Sequence, residues 1–129
     1  PLALTRSGDS LVIRFHYHAK KTVQYPSFGF RLFTNMGALI TETGNVTHGV
    51  DVPRVEPGDG YIEVEIESLN LLPAQYSLSL WITELGGTPV YDGDVRTLLE
   101  VEPANIYASG RTPTSKHGIA FFPQRWRVP

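Results

Sequence analysis

The chain has 129 residues, of which 41% are hydrophobic and 19% are charged, and its formal net charge is −2. This length suits one domain with a buried core, and the composition excludes a disordered chain. Residues 1–102 hold 7 Lys/Arg against 13 Asp/Glu, a charge of −6, whereas residues 103–129 hold 4 basic residues and no acidic one, a charge of +4. An acidic body argues against a nucleic-acid surface, which needs concentrated positive charge, so we predict no nucleic-acid partner.

The sequence contains no cysteine, so no disulfide framework is predicted, and the compartment is left open on this ground. No segment approaches the roughly 18 apolar residues of a membrane-spanning helix, which predicts a soluble domain. Because the chain starts at Pro1 and not at a methionine, we expect it to be part of a longer protein.

Strand-like alternation of apolar and polar residues first appears at residues 11–19 and recurs at 28–33. A turn is predicted at 35–37 and a short strand at 39–43, and the polar stretch 44–60 is interpreted as a long connection. The clearest alternations are at 62–67 and 76–83. Shorter strands are predicted at 88–91, after a tight Gly-Gly turn, and at 99–101, and an apolar run closes the chain at 119–122.

About eight short strands with polar outer faces predict an all-β fold. We expect a two-sheet antiparallel β-sandwich, Ig-like or jelly-roll in topology, in which residues 1–129 form a single domain. The sequence does not choose between the two topologies. The polar segment 104–118 is interpreted as a hinge. The predicted interior consists of Phe15, Phe28, Phe30, Val64, Tyr76, Leu78 and Leu80.

Catalytic patterns are weak in this sequence. The segment 110–116 lacks the glycine that precedes the lysine of a phosphate loop, and it lacks the flanking strand and helix, so no ATP binding is expected. Neither a nucleophile-elbow glycine pattern nor a thiol is present. Glu63, Glu65 and Glu67 alternate on one strand face, which is typical of a solvated surface. We therefore predict that the domain is not an enzyme and needs no cofactor.

Metal binding is also weakly indicated. His16 and His18 share a strand face, but a third ligand would have to come from His48, His117 or a carboxylate. We interpret the pair as part of a wet or ligand-facing surface and predict no metal. The acidic turn at 92–94 could help to hold calcium, but a solvated turn is the prediction.

Trp81 gives the most informative signal, because the alternation places its indole on the face opposite the core residues of its strand. An indole beside small polar residues suits stacking on the C–H face of a sugar, while Arg, His and Ser supply hydrogen bonds to hydroxyl groups. The alternative is that Trp81 packs under a loop or at a subunit contact. The candidate glycan-binding residues are Trp81, Arg14, His16, His18, Arg31, Phe33 and Ser79.

A family resemblance rests on four ordered motifs: Phe28-Gly29-Phe30-Arg31-Leu32, Leu71-Leu72-Pro73-Ala74-Gln75-Tyr76-Ser77-Leu78, Tyr91-Asp92 and Trp126. In this order they resemble the C-terminal polysaccharide-binding domain of Wzt-type ATPases. The resemblance extends from about residue 8 to residue 126. It departs at Ala74, where the family usually has glycine. The matches concern architecture, so the resemblance assigns no residue of the binding site.

The resemblance implies a function and a location. The domain would follow the nucleotide-binding domain of an ABC transporter that exports O-antigen-type polysaccharide, and it would recognise the glycan. The implied partners are the polysaccharide, the nucleotide-binding domain and the membrane subunit, and the implied place is cytoplasmic, at the inner face of the bacterial inner membrane. The alternative is a structural or dimerisation module that makes protein contacts only.

The C-terminal segment, residues 104–129, predicts a homodimer in which this segment is exchanged between subunits. Its apolar run must dock, and Arg125 and Arg127 could pair with Glu63 and Glu65. The resemblance also implies dimerisation through terminal strands. The alternative is a segment that folds back onto the sheet edge of its own subunit.

Overall fold

The computed structural model describes residues 2–84, 86–92 and 96–129, and within them the fold is all-β. The strands in chain order are β1 Leu2–Arg6, β2 Leu11–Ala19, β3 Val23–Gln24, β4 Ser27–Thr34, β5 Leu39–Gly44, β6 Arg54–Val55, β7 Gly58–Ile66, β8 Ala74–Glu84, β9 Thr88–Asp92 and β10 Thr97–Glu102. A single 3₁₀ turn follows at Ser115–His117. The predicted all-β class is confirmed.

The large sheet has the order β1-β10-β8-β4-β5, and β9 also pairs with β8. β9 and β10 follow one another along the same side of β8, because β4 occupies the other side from Tyr76 to Thr83. All the described pairs are antiparallel except β1–β10, which is parallel. The large sheet is therefore mixed at its β1 edge and antiparallel elsewhere.

The second layer of the sandwich is the antiparallel pair β2–β7, in register from Leu11 opposite Ile66 to Ala19 opposite Gly58. Its inward residues Ile13 and Phe15 pack with Phe30 of the large sheet. A second buried cluster lies nearer the N-terminal end of β8, around Tyr76. Of the predicted interior, Phe15, Phe28, Phe30 and Tyr76 are buried, whereas Val64, Leu78 and Leu80 are half-buried against these clusters.

The predicted long connection, residues 44–60, contains more structure than its composition indicates. β6 pairs with β3 within it, and β7 already begins at Gly58. Asn45 closes the turn after β5, because its side chain accepts a hydrogen bond from the Phe28 amide at 2.7 Å and donates one to the Val50 carbonyl at 2.8 Å. The connection therefore crosses from one layer to the other under local restraint.

The C-terminal segment contacts residues 70–72 as far as Phe121. The Leu72 amide donates to the Ile119 carbonyl at 2.7 Å, and the Phe121 amide donates to the Asn70 carbonyl at 3.1 Å. Phe121 is 7% exposed, and its ring meets Tyr107 edge-on at 6.2 Å. Phe122 and Trp126, by contrast, are 76% and 84% exposed. The prediction that the apolar run leaves water is therefore correct for Phe121 and wrong for Ile119 and Phe122, which are 49% and 76% exposed.

Candidate functional site

The structure divides the candidate residues between the two outward faces of the sandwich. Trp81, Ser79, Arg31 and Phe33 share the outer face of β4 and β8 in the large sheet, since Gly29, Arg31 and Phe33 pair with Trp81, Ser79 and Ser77. Arg14, His16 and His18 lie on the outer face of β2. Because the inward faces of the two sheets pack together, these two groups point in opposite directions and do not form one site.

Trp81 lies flat on two glycines. Gly29 is opposite Trp81 on β4, and Gly44 is opposite Gly29 on β5. A Cβ placed on Gly29 would be only 2.1 Å from Cζ2 of Trp81, and a Cβ on Gly44 would be 3.3 Å from Cη2. The indole therefore extends across β4 towards β5. Any residue other than glycine at position 29 or 44 would push the ring away from the sheet. The backbone covers one face of the ring, and the side chain is half-buried. We call Trp81, Gly29 and Gly44 the tryptophan platform.

The platform contains one unsatisfied donor. Trp81 Nε1 is buried and has no hydrogen-bond partner among the described residues. Buried indole N–H groups normally have an acceptor, and a buried polar group without one costs about 1–3 kcal/mol. Because this donor is buried, it is not presented to a ligand in this conformation.

Charged groups surround the platform. Arg31 forms an ion pair with Glu42 across β4 and β5, and the Arg96 guanidinium lies 3.9 Å above the Phe33 ring centroid. Ser79 is only 3% exposed although it lies on this outward face. The surface therefore combines two aromatic rings, two guanidinium groups and a carboxylate. Ser79, being buried, is not available to a ligand in this conformation.

Sequence reasoning missed Glu42, Arg96 and the two glycines as members of this surface. Gly29 and Gly44 each carried a usable signal, because a glycine inside a strand often marks a close approach by another group. The sequence around Glu42 and Arg96 gave no such signal, because their place beside the platform depends on how the strands pair.

The outer face of β2–β7 is a ladder of paired side chains. Arg14 forms an ion pair with Glu63, and its guanidinium lies 4.6 Å from the Tyr61 ring centroid. His16 contacts the same Tyr61 ring at 5.9 Å. His18 Nδ1 lies 2.7 Å from an oxygen of Asp59. Each of the three candidate residues on this face thus already has a partner on β7, and Glu63 is paired with Arg14 and not with the basic C-terminal segment.

No group of three or more His, Cys, Asp or Glu side chains converges among the described residues, so no metal site is outlined there. His117, considered above as a third ligand, instead accepts a hydrogen bond at Nδ1 from the Thr114 amide at 3.1 Å. Of the acidic turn at 92–94, Gly93 and Asp94 lie outside the described residues.

Fold and surface together define a β-sandwich module with an aromatic and charged outer sheet face. The model of the Wzt C-terminal domain family matches residues 1–98, about three quarters of the sequence, and the chain belongs to this family. Its structure is similar to the crystal structure of the C-terminal domain of wzt, with a TM-score of 0.74 and 14% sequence identity over 98% of this chain and 74% of that chain. At this identity the likeness concerns the fold alone.

A comparison with curated protein sequences gave no match. Membership of the Wzt C-terminal domain family associates the chain with the ABC transporters of O-antigen, in which this domain is a non-catalytic part. Among the residues that the structure describes, no helix is long and apolar enough to cross a membrane.

Proposed function

We propose that this domain recognises an O-antigen-type polysaccharide for export and that the glycan lies on the tryptophan platform. The observation that carries the proposal is the indole held flat on Gly29 and Gly44 beside the Arg31–Glu42 pair. A ring fixed parallel to the sheet offers a flat apolar surface to the C–H face of a sugar, and such stacking is worth about 1–3 kcal/mol by analogy with other aromatic platforms.

The charged side chains beside the tryptophan platform supply directional hydrogen bonds to the sugar. A guanidinium donates several hydrogen bonds in one plane and a carboxylate accepts them, so Arg31 and Glu42 suit the vicinal hydroxyl groups of a sugar. Both side chains are partly exposed. Arg14, His16 and His18 have partners of their own on the opposite face, so we assign the glycan to the large sheet.

The proposal extends to partners and location through the family. The domain would work beside the nucleotide-binding domain and the membrane subunit of its transporter, at the cytoplasmic face of the bacterial inner membrane. No cofactor and no catalytic step enters the proposal.

The test uses a matched pair of variants, Arg31→Gln and Arg14→Gln. Each removes a guanidinium that is ion-paired with a glutamate on the adjacent strand, but the two lie on opposite faces. In titrations with the native polysaccharide, Arg31→Gln should weaken binding by about tenfold, because a charged hydrogen bond contributes about 1.5–3 kcal/mol, and Arg14→Gln should leave it unchanged. Trp81→Ala should also weaken binding at least about tenfold.

The opposite pattern, in which only Arg14→Gln weakens binding, would move the site to the β2–β7 face. Failure of the unaltered domain to bind any form of the polysaccharide would favour the second candidate, a structural or dimerisation module. The exposed Phe122 and Trp126 are the observation that favours it, because apolar side chains beyond a docked strand suit a protein contact.

We also propose a homodimer with exchanged C-terminal segments. The contacts of Ile119 and Phe121 with residues 70–72 are backbone hydrogen bonds and one buried ring, and a second copy offers the same groups. Exchange preserves each contact, so the length and stiffness of the polar segment 104–118 decide between the two arrangements.

A further inference from the structure

A cavity of about 590 Å³ opens at one end of the sandwich, between the two sheets. It is lined by residues 15–19 of β2, with His16 and His18 among them, by inward residues of β4 and β8, and by residues of the β2–β3 connection, β6 and β9. It is distinct from the tryptophan platform, because Trp81 faces outward, whereas its neighbours Leu80 and Ile82 line the cavity. Its volume lies within the range of about 300–1,000 Å³ that is usual for small-molecule sites.

The depth of this cavity is apolar. Phe28 belongs to the lining and is buried, and its ring centroid lies 6.5 Å from that of Phe15 and 6.0 Å from that of Tyr17. Leu80 and Ile82 complete the surface from β8. Burial of a ligand's hydrocarbon against these side chains would be favourable in proportion to the apolar area removed from water.

The rim of the cavity is cationic. Lys20 and Lys21, two of the three lysines in the sequence, both belong to the lining and are exposed. None of the described lining residues is an aspartate or a glutamate, and neither lysine forms an ion pair within residues 2–84, 86–92 and 96–129. The lining residue His18 is paired with Asp59, which lies outside the lining, so the unpaired positive charge at the mouth comes from the two lysines, and it favours an anion there.

The backbone beside the mouth is strained. Tyr25 has a φ of 43°, and it directly precedes the lining residue Pro26. A bulky residue in the left-handed region costs about 1–3 kcal/mol, and such strain concentrates at binding sites. The Tyr25 amide donates to the Pro53 carbonyl at 2.8 Å, which holds this conformation. The half-exposed Tyr91 is a lining residue that places a phenol group at the cavity.

We propose that this cavity binds a single anionic amphiphile, with the hydrocarbon chain among Phe15, Phe28 and Leu80 and a phosphate or carboxylate head group between Lys20 and Lys21. The apolar depth and the cationic rim select these two parts of the ligand together. A neutral sugar head group would leave both lysines without an anion, and a free anion would leave the aromatic depth unfilled.

Calorimetric titration of the whole domain with three probes tests this assignment. Octyl phosphate carries both parts, octyl glucoside carries the chain alone, and inorganic phosphate carries the head group alone, with both octyl compounds kept below their micelle concentrations. Octyl phosphate should bind at least about tenfold more tightly than either of the others. Equal binding of octyl phosphate and octyl glucoside, or of octyl phosphate and inorganic phosphate, would overturn the proposal.

Variants locate the binding. Lys20→Gln/Lys21→Gln should weaken octyl phosphate by about tenfold and leave octyl glucoside unchanged, because exposed charges act on the head group only. Lys116→Gln removes the third lysine, outside the cavity lining, and should change nothing. Val90→Trp places a large ring on a half-exposed lining position and should weaken both octyl compounds. Unchanged octyl phosphate affinity in the double lysine variant would refute the site.

Discussion

Gly29 and Trp81 constrain one another, since the indole occupies the space in which any side chain at position 29 would begin. A Cβ on Gly29 would lie 2.1 Å from Trp81 Cζ2 and 2.6 Å from the Thr43 carbonyl oxygen. The first neighbour is a side chain that can move, and the second is backbone. The glycine is therefore needed both by the ring and by the approach of β5 to β4.

Gly29→Ala should lower the free energy of unfolding by about 1–3 kcal/mol, because the methyl group forces the ring and β5 outward. Urea denaturation measures the loss. In Gly29→Ala/Trp81→Ala the ring clash is absent but the Thr43 clash remains, so the double variant should lose less than the sum of the two single variants. Strict additivity would contradict the contact.

Tyr76 is the buried residue whose chemistry the structure defines most fully. Its hydroxyl donates to the Leu72 carbonyl at 2.6 Å and lies 3.3 Å from the Ile119 carbonyl oxygen. Burial raises the pKa of this phenol above its ordinary value of 10.0. One hydroxyl thus ties β8 to the turn before it and reaches the C-terminal segment.

Tyr76→Phe should cost about 1–2 kcal/mol of stability near neutral pH, because the Leu72 carbonyl loses its partner. Above pH 10 the unfolded chain releases this proton while the folded chain keeps it, so the stability of the unaltered domain falls as the pH rises towards the higher folded pKa. The variant lacks this contribution, and the stability gap between the two proteins should narrow. Urea denaturation at neutral pH and above pH 10 measures both effects. Tyr91→Phe, at a half-exposed position, should change the stability at neutral pH by less than about 0.5 kcal/mol.

At the scale of strands, the predictable part of the fold follows from periodicity. The alternation in β2, β4, β7 and β8 identified the inward faces correctly, because side chains on a strand change face at every residue. The same rule placed Trp81 outward. β3 and β6 were not predicted, since two-residue strands contain no period.

Pairing between strands was the part that sequence could not supply. Arg14 and Arg31 look equivalent along the chain, yet they lie on different sheets, because the choice of neighbour depends on contacts between distant residues. The parallel docking of β1 on β10 and the meeting of Trp81 with Gly44 are consequences of the same kind.

The docked C-terminal segment offers a comparison of neighbouring residues. Phe121 is buried against Tyr107, whereas Phe122 is exposed. Phe121→Ala should destabilise the domain by about 3 kcal/mol through lost burial and a residual cavity. Phe122→Ala should change the stability by less than about 0.5 kcal/mol. Thermal unfolding of both variants checks this, and similar losses would mean that the segment docks differently.

At the scale of the whole molecule, the three proposed binding regions are separate from one another. Two of these regions lie at opposite ends of β8. Tyr76, near one end, contacts the C-terminal segment, and Ile82, near the other end, lines the cavity between the sheets. The tryptophan platform lies between them on the outer face of the same strand. A glycan, an amphiphile and a second subunit could therefore be bound without competing for the same residues.

The homodimer is tested by light scattering on the intact domain and on a chain that ends at Gly110. The intact domain should be dimeric and the shortened one monomeric, because the shortened chain lacks the residues that dock on 70–72. A monomeric intact domain would refute the dimer. A dimeric shortened chain would show that the interface lies elsewhere.

An introduced disulfide can test directly whether the C-terminal segments are exchanged. Because the sequence has no cysteine of its own, only the introduced pair can form it. Leu71 and Ala120 are bridge partners, and residues paired across an antiparallel bridge lie within disulfide reach. After oxidation, Leu71→Cys/Ala120→Cys should run as a covalent dimer on a non-reducing gel if the segments are exchanged. A covalent monomer would mean that each segment docks on its own subunit.

The packing of Trp81 on Gly29 and Gly44 also affects the entropy and the rate of glycan binding. A flexible aromatic side chain loses about 0.5–1.5 kcal/mol when a ligand immobilises it, whereas a ring already held against backbone has little freedom left to lose. Binding to such a ring should need no slow rearrangement. Differences in affinity among related glycans should then appear mainly in their dissociation rates, which depend on the hydrogen bonds made by the neighbouring charged residues.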